Sequence, residues 1–348
     1  MLAGYAMYLM MANRMDDARS WSAKALDAAI GSGEPLQQCR ALLAWGYSRA
    51  DDETGLAALL RARDLAIACD AGEEFTRIHA GLDQSLRRHG RIREREQVMR
   101  DGIGYAAAHG LAKSFGLPMN YMLAEVLLDT GPWDEAEEIL ATFGPRLLTG
   151  IHPMFTNAYR ARPAAARGDT AAARECADRV EHLARELPDQ PIPRTIAWCA
   201  RAESCTWSGI AQDAIEYADL ALALTTDPMR RAEAVAIRAR AAADLAERVR
   251  RRGQQVDDLV SDARAWAATE RRPQLEALVA ATRAEISRYD GKREPAPWQI
   301  AVAACDAAGD LYRTAYCRWR LGYALLGSRS ARRRRRVSSP RQGRPHIN

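Results

Sequence analysis

The sequence lacks any run of alternating β-branched and polar residues, and it contains only four phenylalanines. A β-strand in a sheet needs such a run, because its side chains point alternately to the two faces of the sheet. Alanine supplies much of the 48% hydrophobic content. Alanine is the strongest helix former, and its small side chain lets helices approach closely. The composition therefore predicts an all-α protein.

The motifs of catalysis and cofactor binding are also missing. The chain contains no GxxxxGK[ST] loop and no GxSxG, and its six histidines form no HExxH or HxH motif. The GxG at Asp101–Gly104 follows no strand and lacks the third glycine of a dinucleotide site. Acidic clusters such as Asp51–Glu53 lie at helix starts, where carboxylates complement the helix dipole. We therefore expect no enzyme activity, no cofactor and no metal.

The cysteines and the N-terminal residues indicate in which cellular compartment the protein is expected. The seven cysteines are an odd number and form no CxxC motif, which is typical of reduced, buried thiols in a cytosolic protein. The segment 1–17 is apolar for only about a dozen residues, whereas a membrane-spanning helix needs about twenty. It also has no positively charged leader. We expect a cytoplasmic protein with no membrane segment.

The basic charge is concentrated at the C-terminal end. The formal net charge is +5, but residues 328–348 contain eight arginines and no acidic residue. The remaining 327 residues carry 42 basic and 45 acidic side chains, a formal charge of −3. Binding to a polyanion must therefore depend on the tail, above all on Arg332, Arg333, Arg334, Arg335 and Arg336.

Pairs of small residues recur along the chain at a fixed spacing. In each pair the two alanines are twelve residues apart, and a glycine or asparagine follows the first alanine by seven. The four copies are Ala6/Asn13/Ala18, Ala124/Gly131/Ala136, Ala161/Gly168/Ala173 and Ala202/Gly209/Ala214. Small residues at this spacing lie where two antiparallel helices cross, and the glycine or asparagine ends the first helix. Each copy therefore predicts a helical hairpin.

The hairpins predict the architecture of most of the chain. The last three copies begin 37 and 41 residues apart, so the repeat resembles the tetratricopeptide type with a longer period. We predict an α-solenoid, an array of antiparallel helical hairpins, over residues 1–327, with a disordered Arg-rich tail over residues 328–348. A less regular hairpin at residues 73–109 has Arg95 where a small residue is expected. A further helix is predicted at Gln255–Glu270.

The segment 295–327 resembles the helical region of large LuxR-type transcriptional regulators. The resemblance lies in a proline-tryptophan entry, a tyrosine-bearing turn and an Ala-Tyr-x-Arg-Trp-Arg-Leu stretch. Its main residues are Trp298, Tyr312, Arg318, Trp319 and Arg320, for which we expect a structural role. In that family a P-loop ATPase precedes a tetratricopeptide-like region, and a helix-turn-helix follows it.

The departures from that family shape the functional hypothesis. Neither the P-loop motif nor the second helix of a helix-turn-helix, which would contact DNA, is found in this sequence. In a GC-rich gene, alanine codons that are read one base out of register become arginine codons, which predicts a frameshift as the origin of the Arg-rich tail. We expect a truncated or frameshifted fragment of a regulator, a non-catalytic interaction or sensor module. It would bind a protein partner or a small inducer on a concave helical surface.

One alternative to the sensor module stays open. A stand-alone helical-repeat protein could bind nucleic acid through its Arg-rich tail, without sequence preference and with strong salt dependence. Apart from such non-specific contact through the tail, we expect no direct binding to DNA.

Overall fold

A computed structural model describes residues 1–12, 14–114, 116–142, 151–186, 191–225, 227–249 and 272–338. Within these ranges the backbone forms sixteen α-helices and no β-strand. The chain divides into two compact units, an N-terminal unit Met1–Pro193 and a C-terminal unit Arg194–Asn348. The predicted fold class, an all-α array of helical hairpins, is confirmed. The predicted boundary between a domain at 1–327 and a tail stays a prediction.

The N-terminal unit is a series of five hairpins. Within the described residues its helices are α1 (Leu2–Met11), α2 (Met15–Ser32), α3 (Pro35–Ser48), α4 (Glu53–Ala68), α5 (Gly72–Arg88), α6 (Ile92–Ala108), α7 (Gly116–Thr130), α8 (Trp133–Ala141), α9 (His152–Arg167) and α10 (Thr170–Glu186). Each helix packs on the next, and the odd-numbered helices also pack on one another. The odd-numbered helices therefore form one continuous layer of this unit.

The C-terminal unit contains six described helices, and the first of them begins three residues before the boundary at Arg194. Its described helices are α11 (Pro191–Ser208), α12 (Ala211–Leu224), α13 (Pro228–Val249), α14 (Pro273–Tyr289), α15 (Pro295–Ala307) and α16 (Leu311–Ser338). From α12 onward, each of these helices packs on the next one in this series. Several begin at proline, whose missing N–H costs nothing in the first helical turn. The predicted helix at Gln255–Glu270 lies outside the described residues.

The small-residue pairs lie where the sequence predicts them. All eight alanines of the four copies have no exposed surface, which fits the closest approach of the two helices in each hairpin. Gly131, Gly168 and Gly209 end their helices with φ angles of 108°, 83° and 76°, a region that glycine adopts without strain. Asn13 of the first copy lies outside the described residues. The hairpin prediction is confirmed.

Arg95 departs from the pattern because its charge is neutralised inside the N-terminal unit. Arg95 is 2% exposed, and its guanidinium donates to both carboxylate oxygens of Asp83 and to Glu125. Burial alone would lower the pKa of this arginine, but the two carboxylates raise it above its ordinary value. An ion cluster shared by α5, α6 and α7 thus replaces the expected contact between small residues.

The last helix is longer than predicted. Its backbone stays helical through Ser338, whereas we predicted disorder from residue 328. Alanine and arginine are both strong helix formers, and the first proline after Leu311 is Pro340, so nothing in residues 328–338 interrupts the helix. Residues 339–348 lie outside the described residues, and disorder there stays a prediction.

No helix in the described parts of the chain is long and apolar enough to cross a membrane.

The GxG at Asp101–Gly104 is a packing feature of α6. A Cβ atom placed on Gly102 would lie 2.5 Å from Sδ of Met119 and 2.7 Å from the ring of His79. Both neighbours are buried, so they have little room to move. Gly102 therefore lets α6 approach α5 and α7 closely. Gly104, two residues later, is exposed and has nothing within 4 Å of such a Cβ atom.

We expect Gly102→Ala and Gly104→Ala to change stability in opposite directions. The first should lower the free energy of unfolding by about 1–3 kcal/mol, because the new methyl overpacks a buried contact. The second should raise it by about 0.5–1 kcal/mol, because alanine is the better helix former at an open position. Urea denaturation of the two variants beside the wild type measures both effects. Equal shifts in the same direction would contradict the packing role of Gly102.

Candidate binding site

Polar and aromatic side chains from four helices meet in the C-terminal unit. On each helix, neighbouring members of this set are three or four residues apart, which places them on one face. We call this set the four-helix cluster: Glu203 and Trp207 of α11; Arg240, Asp244 and Glu247 of α13; Glu285 and Arg288 of α14; and Tyr312, Tyr316 and Arg320 of α16. Hydrogen bonds, ion pairs and ring contacts connect its members.

Tyr312 connects α16 to α11. Its hydroxyl accepts a hydrogen bond from Nε1 of Trp207 at 2.8 Å and donates one to Oε1 of Glu203 at 2.6 Å. The indole and the carboxylate are four residues apart, so one phenol holds both side chains of the α11 face. This bridge joins residues that are 105 and 109 positions apart in the chain.

Tyr316 has a similar role toward α14. Its hydroxyl donates to a carboxylate oxygen of Glu285 and accepts a hydrogen bond from Nε of Arg320 at 2.9 Å. Burial, reinforced by the nearby charge of Glu285, raises the pKa of Tyr316 above its ordinary value. The hydroxyl therefore stays protonated near neutral pH and acts as a hydrogen-bond donor.

Arg288 uses its whole guanidinium inside the cluster. Nε donates to Glu285 at 2.7 Å, Nη1 contacts Asp244 at 2.7 Å and Glu247 at 3.0 Å, and Nη2 donates to the carbonyl of Arg240 at 3.1 Å. Burial alone would lower the pKa of Arg288, but these carboxylates raise it. Arg288 therefore fixes the position of α14 relative to α13.

Arg240 is held by aromatic rings rather than by a carboxylate. The central carbon of its guanidinium lies 4.1 Å from the ring centroid of Trp207 and 4.5 Å from that of Tyr316. These distances are within the range of cation–π attraction. Its Nε is buried and has no hydrogen-bond partner. Burial alone would lower the pKa of Arg240, but its neighbours, the carboxylates of Asp244 and Glu285 among them, raise it.

The structure separates the residues of the family resemblance into two groups. Tyr312 and Arg320 belong to the four-helix cluster, where Nη2 of Arg320 also donates to Asp244 at 2.9 Å. The other three are not among its members, but the rings of Trp298 and Trp319 contact that of Tyr316 at centroid distances of 6.2 and 5.8 Å. Trp298 is buried among the core residues of α14–α16. Arg318 is exposed and pairs with Asp306 at 3.3 Å, and Trp319 is 45% exposed.

Arg332–Arg336, the nucleic-acid candidates, lie on the backbone of α16, and their side chains are outside the described part of the structure. Contact between this run and nucleic acid stays a prediction.

Sequence reasoning missed most of the four-helix cluster. The i,i+4 spacing of Glu203 with Trp207 and of Arg240 with Asp244 is visible in the sequence, but the same spacing is common on solvated helix faces. Trp207 is one of eight tryptophans in the sequence, and at helical spacing a tryptophan most simply predicts packing between hairpins. The missing signal is the contact with α16, about a hundred residues further along the chain.

The described residues were compared with the requirements of a metal site and of reactive thiols. They include no group of three or more His, Cys, Asp or Glu side chains that could hold a metal ion. The seven cysteines are free thiols, and five of them are buried. The four-helix cluster therefore offers hydrogen bonding, charge and aromatic contact.

Comparisons with known proteins add information on the fold. No protein-family model matches the sequence, and no curated protein matches it. The structure is similar to the apo form of the quorum sensor NprR from B. thuringiensis, with a TM-score of 0.52 and 13% sequence identity. The similarity covers 87% of this chain and 86% of that chain. At this identity it shows the fold alone, an all-α helical-repeat architecture.

Proposed function

We propose that the chain is a non-catalytic sensor or interaction module that binds a small inducer or a protein partner. The observation that carries the proposal is the four-helix cluster, with its charged, partly buried Arg240 in contact with the rings of Trp207 and Tyr316. Side chains from four helices converge there, so a ligand that contacts them would affect the packing of the whole unit.

Two resemblances support the sensor role. NprR, the protein similar in fold, is named a quorum sensor, and the segment 295–327 resembles the helical region of LuxR-type regulators. Tyr312 and Arg320, which carry part of that resemblance, lie in the four-helix cluster. Under this proposal the module acts in the cytoplasm. In the LuxR-type arrangement, binding would be relayed to an ATPase part and a DNA-binding part.

A ligand screen with a matched pair of variants tests the proposal. We expect some members of a panel of metabolites and short peptides to raise the melting temperature of the wild type. A ligand at 100 times its Kd stabilises the protein by about 2.7 kcal/mol. Trp207→Phe, which loses the indole N–H, should reduce this stabilisation. Trp21→Phe, in the N-terminal unit, should preserve it.

The proposal is contradicted if no compound stabilises the protein. It is also contradicted if Trp207→Phe responds to every stabilising compound as fully as Trp21→Phe does.

The second candidate function is nucleic-acid binding through the tail. It is favoured by the five consecutive arginines Arg332–Arg336 in a segment without acidic residues. If all five contact phosphates, replacing them with glutamine should reduce the slope of log K against log salt concentration by about 4.5. A gel-shift titration at several salt concentrations measures the slope. An unchanged slope would exclude these arginines as the contact.

A further inference from the structure

Arg240 is unlike the other arginines of the four-helix cluster. Arg288 and Arg320 direct their N–H groups to carboxylates, to the hydroxyl of Tyr316 and to a backbone carbonyl. Among the described residues none accepts a hydrogen bond from the Arg240 guanidinium, and its Nε is buried without a partner. A buried N–H left in this way costs about 1–3 kcal/mol. The arrangement therefore retains a strong donor that the described protein groups do not use.

The same guanidinium is held in place. Trp207 and Tyr316 contact it, and each of these rings is itself fixed by a hydrogen bond, from Trp207 to Tyr312 and from Tyr316 to Glu285. A guanidinium is planar and presents pairs of parallel donors, which match the two oxygens of a carboxylate. Because the rings already restrict its rotation, a ligand would lose little entropy in ordering it.

The surrounding charge selects among oxyanions. The four-helix cluster contains three arginines and four carboxylates, so its net charge is slightly negative. A phosphate, with a charge near −2, would be repelled by these carboxylates more strongly than a singly charged carboxylate would be. The rings of Trp207 and Tyr316 contact the guanidinium, so a ligand at Arg240 would lie next to aromatic groups. The site therefore fits one carboxylate attached to an apolar or aromatic body.

We propose that Arg240 is a binding residue for the carboxylate of a small organic ligand, clamped by Trp207 and Tyr316. This inference rests on the proposed sensor function and names the chemical class of its ligand. The carboxylate would accept hydrogen bonds from the Arg240 guanidinium, and the ligand body would lie against the rings.

Benzoate and its neutral analogue benzamide test the proposal on the full-length chain. The nitrogen-15 resonance of the Arg240 Nε–H group is assigned by its loss in Arg240→Lys. We expect benzoate to shift this resonance in a saturable titration and benzamide to leave it in place, since benzamide carries no charge. Both titrations are carried out on the wild type, and Arg240→Lys serves only to assign the resonance.

Two matched substitutions extend the test. Arg240→Lys should weaken benzoate binding at least about 10-fold, because lysine cannot form the paired hydrogen bonds. Arg318 of α16 forms an exposed ion pair with Asp306 of α15. Arg318→Lys should therefore leave the affinity for benzoate within about twofold of the wild-type value. An unmoved Nε resonance, or equal losses in both variants, would overturn the proposal.

The failure of this inference can be told apart from the failure of the proposed function. If benzamide shifts the resonance as much as benzoate does, the cluster binds small molecules and the carboxylate assignment is overturned. If benzoate leaves the resonance unmoved while the wider panel yields a ligand sensitive to Trp207→Phe, the sensor function stands without the carboxylate. If the panel also yields none, both proposals are overturned.

Discussion

Arg95→Met is expected to lower the free energy of unfolding of the N-terminal unit by about 3–5 kcal/mol. The substitution keeps the length of the side chain but removes its charge. Asp83 and Glu125, each 9% exposed, would then lose the guanidinium to which both are hydrogen bonded. Breaking a buried ion cluster on one side is costly because the remaining carboxylates stay out of water with less compensating charge, which for Glu125 includes Arg87 at 4.0 Å. Urea denaturation measures the loss.

The control for this prediction is an exposed arginine of the neighbouring helix. Arg77 on α5 pairs with Glu73 across one helical turn, and both side chains are more than half exposed. Arg77→Met should cost less than about 1 kcal/mol, since surface ion pairs contribute little. If Arg95→Met costs no more than Arg77→Met, the cluster does not stabilise the unit.

A compensating variant separates charge from packing. When Arg95→Met is combined with Asp83→Leu and Glu125→Leu, both carboxylates that lose the guanidinium are removed with it, and Arg87 loses its contact with Glu125. Apolar replacements of a whole buried ion cluster are often neutral or stabilising, so we expect the triple variant to recover most of the lost stability. A triple variant less stable than the single one would show that shape, rather than charge, sets the cost.

The regular hairpins could be predicted because their cause is local. Ala124, Gly131 and Ala136 lie within thirteen residues of one another, and their spacing alone determines where two helices cross and turn. Burial of these alanines and the positive φ of Gly131 confirm the inference. The bounds of the helix at Pro273–Tyr289 also have a local cause, since a proline begins it and a Gly-containing loop follows it.

The charged clusters could not be predicted because their partners are distant in sequence. Arg95 is twelve residues from Asp83 and thirty from Glu125, and Tyr312 is more than a hundred from Trp207. Amphipathic spacing shows that a residue faces one side of its helix, but several helices could supply the partner. Only the order in which helices pack determines which charges meet, and that order depends on the whole unit.

His79 is expected to make the N-terminal unit less stable as the pH falls from about 6.5 to about 4. Burial lowers the pKa of His79 to about 4 in the folded chain, whereas an unfolded histidine titrates near 6.5. Between these two values the unfolded chain binds more protons, so the free energy of unfolding rises with pH. The full difference is about 3 kcal/mol, present above pH 6.5 and lost below pH 4.

The surroundings of His79 explain why it stays neutral. The ring is 1% exposed and packs against Phe75 at a centroid distance of 4.0 Å. Its Nδ1 lies 2.8 Å from the carbonyl of Phe75, and because a carbonyl can only accept, Nδ1 carries the hydrogen. That hydrogen bond favours the charged form, as does Asp101, while Arg63 opposes it, but burial is the largest effect.

Urea denaturation at several pH values, compared between the wild type and His79→Phe, isolates this contribution. His79→Phe removes the titrating group and keeps a ring of similar size, so its stability should fall less between pH 6.5 and 4. Phe75→Leu is the matched control, because it disturbs the same packing but leaves the histidine in place. It should lower stability and retain much of the pH dependence. If His79→Phe and the wild type lose equal stability over this range, His79 is not the group responsible.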